Sequence, residues 1–191
     1  MSKRTLFLIF ALFVITFALI IIALYSPSVP KPLVTIPPII RKEPAAQTQL
    51  LFGSLSMTNA SPSSKTTYSL PITISTGNNK VTAVQLELQY DPEILAQVAV
   101  VPSAFFPNPV TLLNQIDTKT GRISYAFGVG PTATGITGNG MLAKLTFQAK
   151  ALSDVAKQTS ITFLPKTLVT AEGSLQSVLK QTSSSQFTVG K

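Results

Sequence analysis

The chain has no cysteine, no histidine and no tryptophan in 191 residues. Disulfides, thiolate or imidazole metal sites, and every Ser-His or Cys-His nucleophile are therefore excluded by inventory. Acidic residues are also scarce, seven in all, and only six follow Leu50. That is a thin supply for general acid–base chemistry or for an oxygen cage around calcium. Neither cofactor nor metal is expected, and the reading is of a protein that is not an enzyme. The nearest carboxylates, Glu87 with Asp91 or Glu93, sit on a strand and a turn without the signature of a pocket.

A formal charge of +8 invites a nucleic-acid reading, but the charges are badly placed for it. Lys3, Arg4, Lys31, Arg41 and Lys42 all precede residue 50, and the ten Lys and Arg that follow form no run. Without a basic patch interleaved with aromatics, nucleic acid is not an expected partner.

What the chain does possess begins with a long apolar run. After a basic leader (residues 1–4), Thr5 to Tyr25 contains no charge, proline or glycine. As a helix it would reach roughly 31 Å, one bilayer core. A cleaved signal peptide competes with a retained anchor; the run is long for a signal core, and Tyr25 stands where a small residue is wanted. The anchor is favoured, with the leader inside and the rest of the chain extracytoplasmic at the cell surface. Residues 26–48 then carry Pro27, Pro30, Pro32, Pro37, Pro38 and Pro44. That spacing forbids a helix and suits an extended linker. Asn59-Ala60-Ser61 is a glycosylation acceptor in a host with the machinery.

Residues 49–191 read as short alternating strands separated by turns. Val81–Tyr90 is the clearest: Val84, Leu86, Leu88 and Tyr90 on one face, Ala83, Gln85, Glu87 and Gln89 on the other. It stops at Asp91-Pro92, where Asp91 is suited to cap the turn and Leu95 to fold back onto the apolar face. Other candidates are Leu50–Ser56, Tyr68–Ser75, Gln97–Val101, Val110–Asn114, Arg122–Phe127, Met141–Ala151, Ser160–Leu164, Leu168–Thr170 and Gln186–Val189. Gly128 to Gly140 lacks the Lys-Ser/Thr and the helix of a phosphate loop and reads as a flexible connection. Asp154–Gln158 supports at most one helical turn, and Phe105-Phe106-Pro107 reads as a loop tucked over the end of the fold. The class is all-β, an antiparallel jelly-roll sandwich of about nine strands behind one transmembrane helix.

The strings Leu70-Pro71-Ile72-Thr73-Ile74, Val81 to Leu95 (VTAVQLELQYDPEIL), Gly121 to Ala126 (GRISYA), Gly140 to Phe147 (GMLAKLTF) and Ile161-Thr162-Phe163 together resemble the cohesin domain of bacterial cellulosome and surface scaffolds. The resemblance spans about residues 50–190. It implies a non-catalytic sandwich, related to carbohydrate-binding modules, that captures a calcium-loaded dockerin through one sheet face including the Tyr-Asp-Pro strand. In one class of the family an Asn-x-Asp pair is prominent there; this chain has Ala83 and Gln85 at the matching positions.

The alternation itself leaves Gln85, Glu87, Gln89, Arg122, Ser124, Lys144, Thr146 and Gln148 pointing away from the core. If their three strands share a sheet, they form one flat polar surface, either an ordinary solvated face or a partner-binding one. The alternative function is direct polysaccharide binding by the same sandwich. Against it, the chain lacks tryptophan, and two of the three domain tyrosines point inward by periodicity.

Overall fold

A computed structural model describes residues 3–25, 43–58, 66–150 and 156–190. The Asn59-Ala60-Ser61 motif, most of the Pro-rich run and the start of Asp154–Gln158 lie outside these residues. Two compact units result, Met1–Arg41 and Lys42–Lys191. In the first, α1 (Lys3–Tyr25) is a single 23-residue helix with no buried side chain. It is long and apolar enough to cross a membrane. Its one mid-helix hydroxyl, Thr16 Oγ1, donates to the carbonyls of Leu12 (3.1 Å) or Phe13 (2.9 Å), so that hydroxyl is satisfied within the helix.

The second unit is a sandwich of two six-stranded sheets. Its strands are β1 (Thr48–Phe52), β2 (Ser56–Thr58), β3 (Thr67–Ser75), β4 (Val81–Tyr90), β5 (Leu95–Pro102), β6 (Val110–Asp117), β7 (Arg122–Gly128), β8 (Asn139–Ala149), β9 (Lys157–Phe163), β10 (Leu168–Ala171), β11 (Leu179–Thr182) and β12 (Ser185–Val189). One sheet runs β11-β1-β3-β8-β5 with β2 also on β3; the other runs β12-β9-β4-β7-β6 with β10 also on β4. Twelve strands are thus present among the described residues, where the sequence suggested about nine.

The extra strands have local causes. Leu50–Ser56 is not one strand, because it lies along β3 at Pro71. Proline offers no N–H to the ladder, and the Pro71 carbonyl instead accepts the Gly53 N–H at 2.8 Å. A Cβ on Gly53 would sit 2.8 Å from the proline ring, so the break between β1 and β2 falls at a glycine. The other unexpected strand, β11, is an edge strand parallel to β1, and three of its four residues are exposed. The end of Asp154–Gln158 forms the beginning of β9 rather than a helical turn.

Between the sheets lies one apolar core. Leu70, Ile72 and Ile74 of β3, Val84, Leu86 and Leu88 of β4, and Leu142, Leu145 and Phe147 of β8 are all fully buried or nearly so. Tyr90 and Leu95 join it, and Asp91 caps the turn between them: its carboxylate accepts the Glu93 N–H at 2.8 Å and its carbonyl the Leu95 N–H at 2.9 Å. Phe106 closes one end of the core, 1% exposed and edge-on to Phe127. Every core residue lies between Leu50 and Val189, so the sandwich has what it needs to fold without α1.

The glycine-rich stretch does connect strands, carrying the chain from β7 in one sheet to β8 in the other. It is pinned rather than loose. Ile136 and Val81 exchange backbone hydrogen bonds at 2.8 and 2.9 Å, Gly135 N–H donates to Glu172 at 2.6 Å, and Gly138 N–H to Thr76 Oγ1 at 2.9 Å.

Candidate protein-binding face

The eight residues expected on one surface fall on two. β4 and β7 are neighbours, so Gln85, Glu87, Gln89, Arg122 and Ser124 do share an outer face. β8 belongs to the opposite sheet, where Lys144 pairs with Pro71 and Val101, Thr146 with Ser69 and Ala99, and Gln148 with Thr67 and Ala96. Lys144, Thr146 and Gln148 therefore look out of the other side of the sandwich. Alternation reports which residues point outward; it carries nothing about which sheet a strand joins.

On the β4 side, register places the outward residues in rows. Ala83 lies beside Gly128, which lies beside Val110; Gln85 beside Ala126, then Leu113; Glu87 beside Ser124, then Gln115; Gln89 beside Arg122, then Asp117. On the other flank of β4, β10 puts Leu168 beside Gln85 and Thr170 beside Ala83. A bulge between Thr111 and Leu113 brings Leu113, not Leu112, level with Ala126.

The upper rows make a shallow apolar trough. Its floor is Ala83, Gln85, Ala126 and Gly128, apolar but for the Gln85 amide, and a Cβ at Gly128 would collide with the Thr82 carbonyl and the Ala83 Cβ. Its walls are Leu168 and Thr170 on one side and Leu113 and Val110 on the other, with Leu168, Val110 and Leu113 42%, 42% and 38% exposed. The walls are three strand spacings apart, about 14 Å, and an α-helix with its side chains is about 10 Å across. Of these, Ala83 and Gln85 were named from the sequence, while Ala126, Gly128, Leu168, Val110 and Leu113 were not picked out as site residues. The available signal was small or apolar side chains in outward slots, such as Ala126 within RISYAF.

The lower rows are polar and tied down. Glu87 is 4% exposed although it points outward, a correction to its expected place on an open surface. Its Oε1 accepts the Gln85 Nε2 at 2.9 Å; its Oε2 accepts Ser124 Oγ at 2.8 Å and Arg122 Nη2 at 3.2 Å. The segment after β9 covers it from the side, where Thr167 Oγ1 bonds both the N–H and the carbonyl of Glu87. Burial pushes the Glu87 carboxyl up, but the hydrogen bonds from Gln85, Ser124 and Arg122, with the guanidinium charge, outweigh it and hold the group below the usual carboxylate range.

Below that, Gln89 Nε2 donates to the carbonyls of Thr120 (2.7 Å) and Tyr90 (3.1 Å). Asp117 is spent on its own turn, accepting the Thr120 hydroxyl at 2.7 Å and the Lys119 and Thr120 N–H groups at 2.9 and 3.3 Å. Those bonds lower its carboxyl, the Thr120 hydroxyl contributing most. No group of three or more Asp, Glu, His or Cys that could hold a metal occurs among the described residues.

The rows, the trough and the two-sheet order describe a β-sandwich whose β10-β4-β7-β6 face is partly apolar. The family model for the cohesin domain matches residues 54–189. The chain belongs to the cohesin domain family. Solved structures agree on the fold. A type I cohesin–dockerin complex of Clostridium thermocellum, Coh-OlpC with Doc435, matches at 16% identity and TM-score 0.57, covering 78% of this chain and 99% of that one. The third ScaC cohesin of Acetivibrio cellulolyticus, in complex with the ScaB dockerin, gives 17% and 0.57 over 76% and 100%. CaCohA2 of Clostridium acetobutylicum, in its complex, gives 22% and 0.57 over 75% and 99%. No curated protein matches the chain.

Proposed function

We propose that this chain is a non-catalytic module that captures a dockerin-like partner protein through the outer face of β4, β7 and β6, and that α1 holds it at the membrane with the sandwich outside the cell. The observation that carries the reading is the trough of Ala83, Ala126 and Gly128 between Leu168 and Val110–Leu113. It is one helix wide, small and apolar along its floor except at Gln85, and bordered by fixed polar groups that set register. Two of the structurally similar cohesins were solved in complex with a dockerin, so a protein partner of that kind is the natural occupant.

Calcium enters only as a property of the partner, and α1 is the segment that meets lipid. Residues 26–42 link α1 to the sandwich in sequence. Polysaccharide binding gains no support from the aromatic side chains: Tyr68, Tyr90 and Tyr125 are all buried at 3–4% exposure, so none offers a sugar-stacking surface.

The test is binding of recombinant calcium-loaded dockerins, with and without chelator, to wild-type protein and to the trough variant Ala126→Arg. Calcium-dependent binding that the variant abolishes supports the reading. Retention of an insoluble polysaccharide, with no dockerin bound, overturns it.

A further inference from the structure

Glu87 is the one outward residue of the polar rows that is closed off from solvent, with its side chain 6% exposed against 44% for Arg122. Both of its oxygens are already engaged: one by Gln85, the other by Ser124 and Arg122. Three partners from two strands are thus held by a single carboxylate at the centre of the face. The three partners themselves remain half-buried or exposed, within reach of anything that docks. A carboxylate already accepting three hydrogen bonds has little left to offer a fourth donor. Truncating its partners, or neutralising it, would release several rotamers at once.

We infer that Glu87 is a positioning residue of the binding face: it does not contact the partner, and it holds Gln85, Ser124 and Arg122 in the single arrangement that the partner reads. The inference rests on the function proposed above and gives the polar half of that face its role. The apolar trough supplies burial, while the fixed amide, hydroxyl and guanidinium supply register and specificity. Arranging these polar groups in advance spares the association the entropy of ordering them, which otherwise costs about 0.5–1.5 kcal/mol per immobilised side chain. Because Glu87 neutralises Arg122 within the network, the centre of the face presents the second Gln85 N–H, the remaining guanidinium N–H groups and the Ser124 oxygen as an acceptor, without an unpaired charge. Binding is then only weakly steered by salt.

The experiment uses the full chain in detergent micelles and a recombinant calcium-loaded dockerin as probe. Glu87→Gln keeps the shape and removes the charge. Expected are a roughly tenfold or greater loss of affinity, carried mainly by faster dissociation, and a steeper salt dependence from the unpaired Arg122. Side-chain nitrogen NMR supplies a readout that contact alone would not move. In the free wild-type protein the Gln85 amide and Arg122 guanidinium protons are expected to exchange slowly, and in Glu87→Gln to be averaged. A multiple-mutant cycle separates positioning from contact: in a Gln85→Ala/Ser124→Ala/Arg122→Ala background, Glu87→Gln should cost little more. Wild-type binding left unchanged by Glu87→Gln, or unaltered Gln85 and Arg122 signals, overturns the inference alone. Absence of any dockerin binding by the wild type overturns the proposed function and the inference with it.

Discussion

Glu43 Oε1 accepts the backbone N–H of Leu175 at 2.8 Å across 132 residues of sequence, and the same oxygen takes the Gln176 N–H at 3.0 Å and the Ser174 hydroxyl at 3.3 Å. The loop between β10 and β11 turns through Gly173 at φ +74°, a conformation suited to glycine, just before the carboxylate site. Nearby, Asn79 Nδ2 donates to the Ala45 carbonyl at 3.0 Å and Gln47 N–H to Asn79 Oδ1 at 3.0 Å. Residues 43–47 are therefore bound to the sandwich. Glu43→Ala is expected to lower the stability of residues 43–191 by about 1 kcal/mol, read from urea denaturation midpoints. A fragment beginning at residue 49 should lose more, since it also forfeits the Asn79 bonds.

The lowered carboxyl of Glu87 makes stability depend on pH with a definite sign. A group whose folded value lies below its unfolded value stabilises the native state above the unfolded value, and that contribution disappears as pH falls through the folded one. Wild-type stability should therefore decline on acidification from the ordinary carboxylate range downward. Glu87→Gln should be weaker at pH 7 by about 1–3 kcal/mol, the scale of a buried polar group left unpaired, and should show a flatter acid limb. Urea titrations of both proteins from pH 7 to pH 3 compare the two slopes.

Gly121 ends the β6–β7 turn at φ +73°, and a Cβ there would collide with the Tyr90 carbonyl. The close approach is used: the Gly121 carbonyl accepts the Tyr90 N–H at 2.9 Å, and its own N–H donates to the Asp117 carbonyl at 2.8 Å. Gly121→Ala combines backbone strain with a displaced strand end and should cost about 2 kcal/mol or more. The same change at Gly130, where an added Cβ meets nothing within 4 Å, should be nearly neutral. Thermal denaturation of the two variants side by side checks the contrast.

Phe106 comes from a loop yet is as buried as any strand residue, packed edge-on to Phe127 at a centroid distance of 5.7 Å. Phe106→Ala should destabilise the sandwich by about 3–5 kcal/mol. The exposed Leu112→Ala, 68% accessible in the β6 bulge, should change stability little. Denaturant midpoints again decide.

Much of this fold was legible because one feature, alternation, is local. Leu86 and Leu88 in β4, Ile72 and Ile74 in β3 and Leu145 and Phe147 in β8 could be assigned to the core from their neighbours alone. Likewise, Tyr90-Asp91-Pro92 announced its own turn, and Phe105-Phe106-Pro107 its place over the core. What escaped depends on partners far along the chain. Lys144 and Glu87 both alternate outward, but only pairing through Pro71 and Val101 sends Lys144 to the opposite face. Glu87 is buried by Arg122, Ser124 and Thr167, which lie 35, 37 and 80 residues away. β11 has one apolar residue in four because it is an edge strand with little to bury. The trough is hard to see for a related reason: alanine and glycine in outward slots look like gaps in a pattern until register sets Ala83, Ala126 and Gly128 side by side.

The most direct test of the central claim is calorimetric titration of residues 43–191 with a recombinant calcium-loaded dockerin, comparing wild type with Ala126→Arg on the trough and Lys144→Glu on the opposite sheet. The trough variant should lose binding by a hundredfold or more, roughly 3 kcal/mol, as a charge is forced into an apolar contact, and the Lys144→Glu protein should bind like the wild type. Binding untouched by Ala126→Arg but lost in Lys144→Glu would place the partner on the other face and contradict the account.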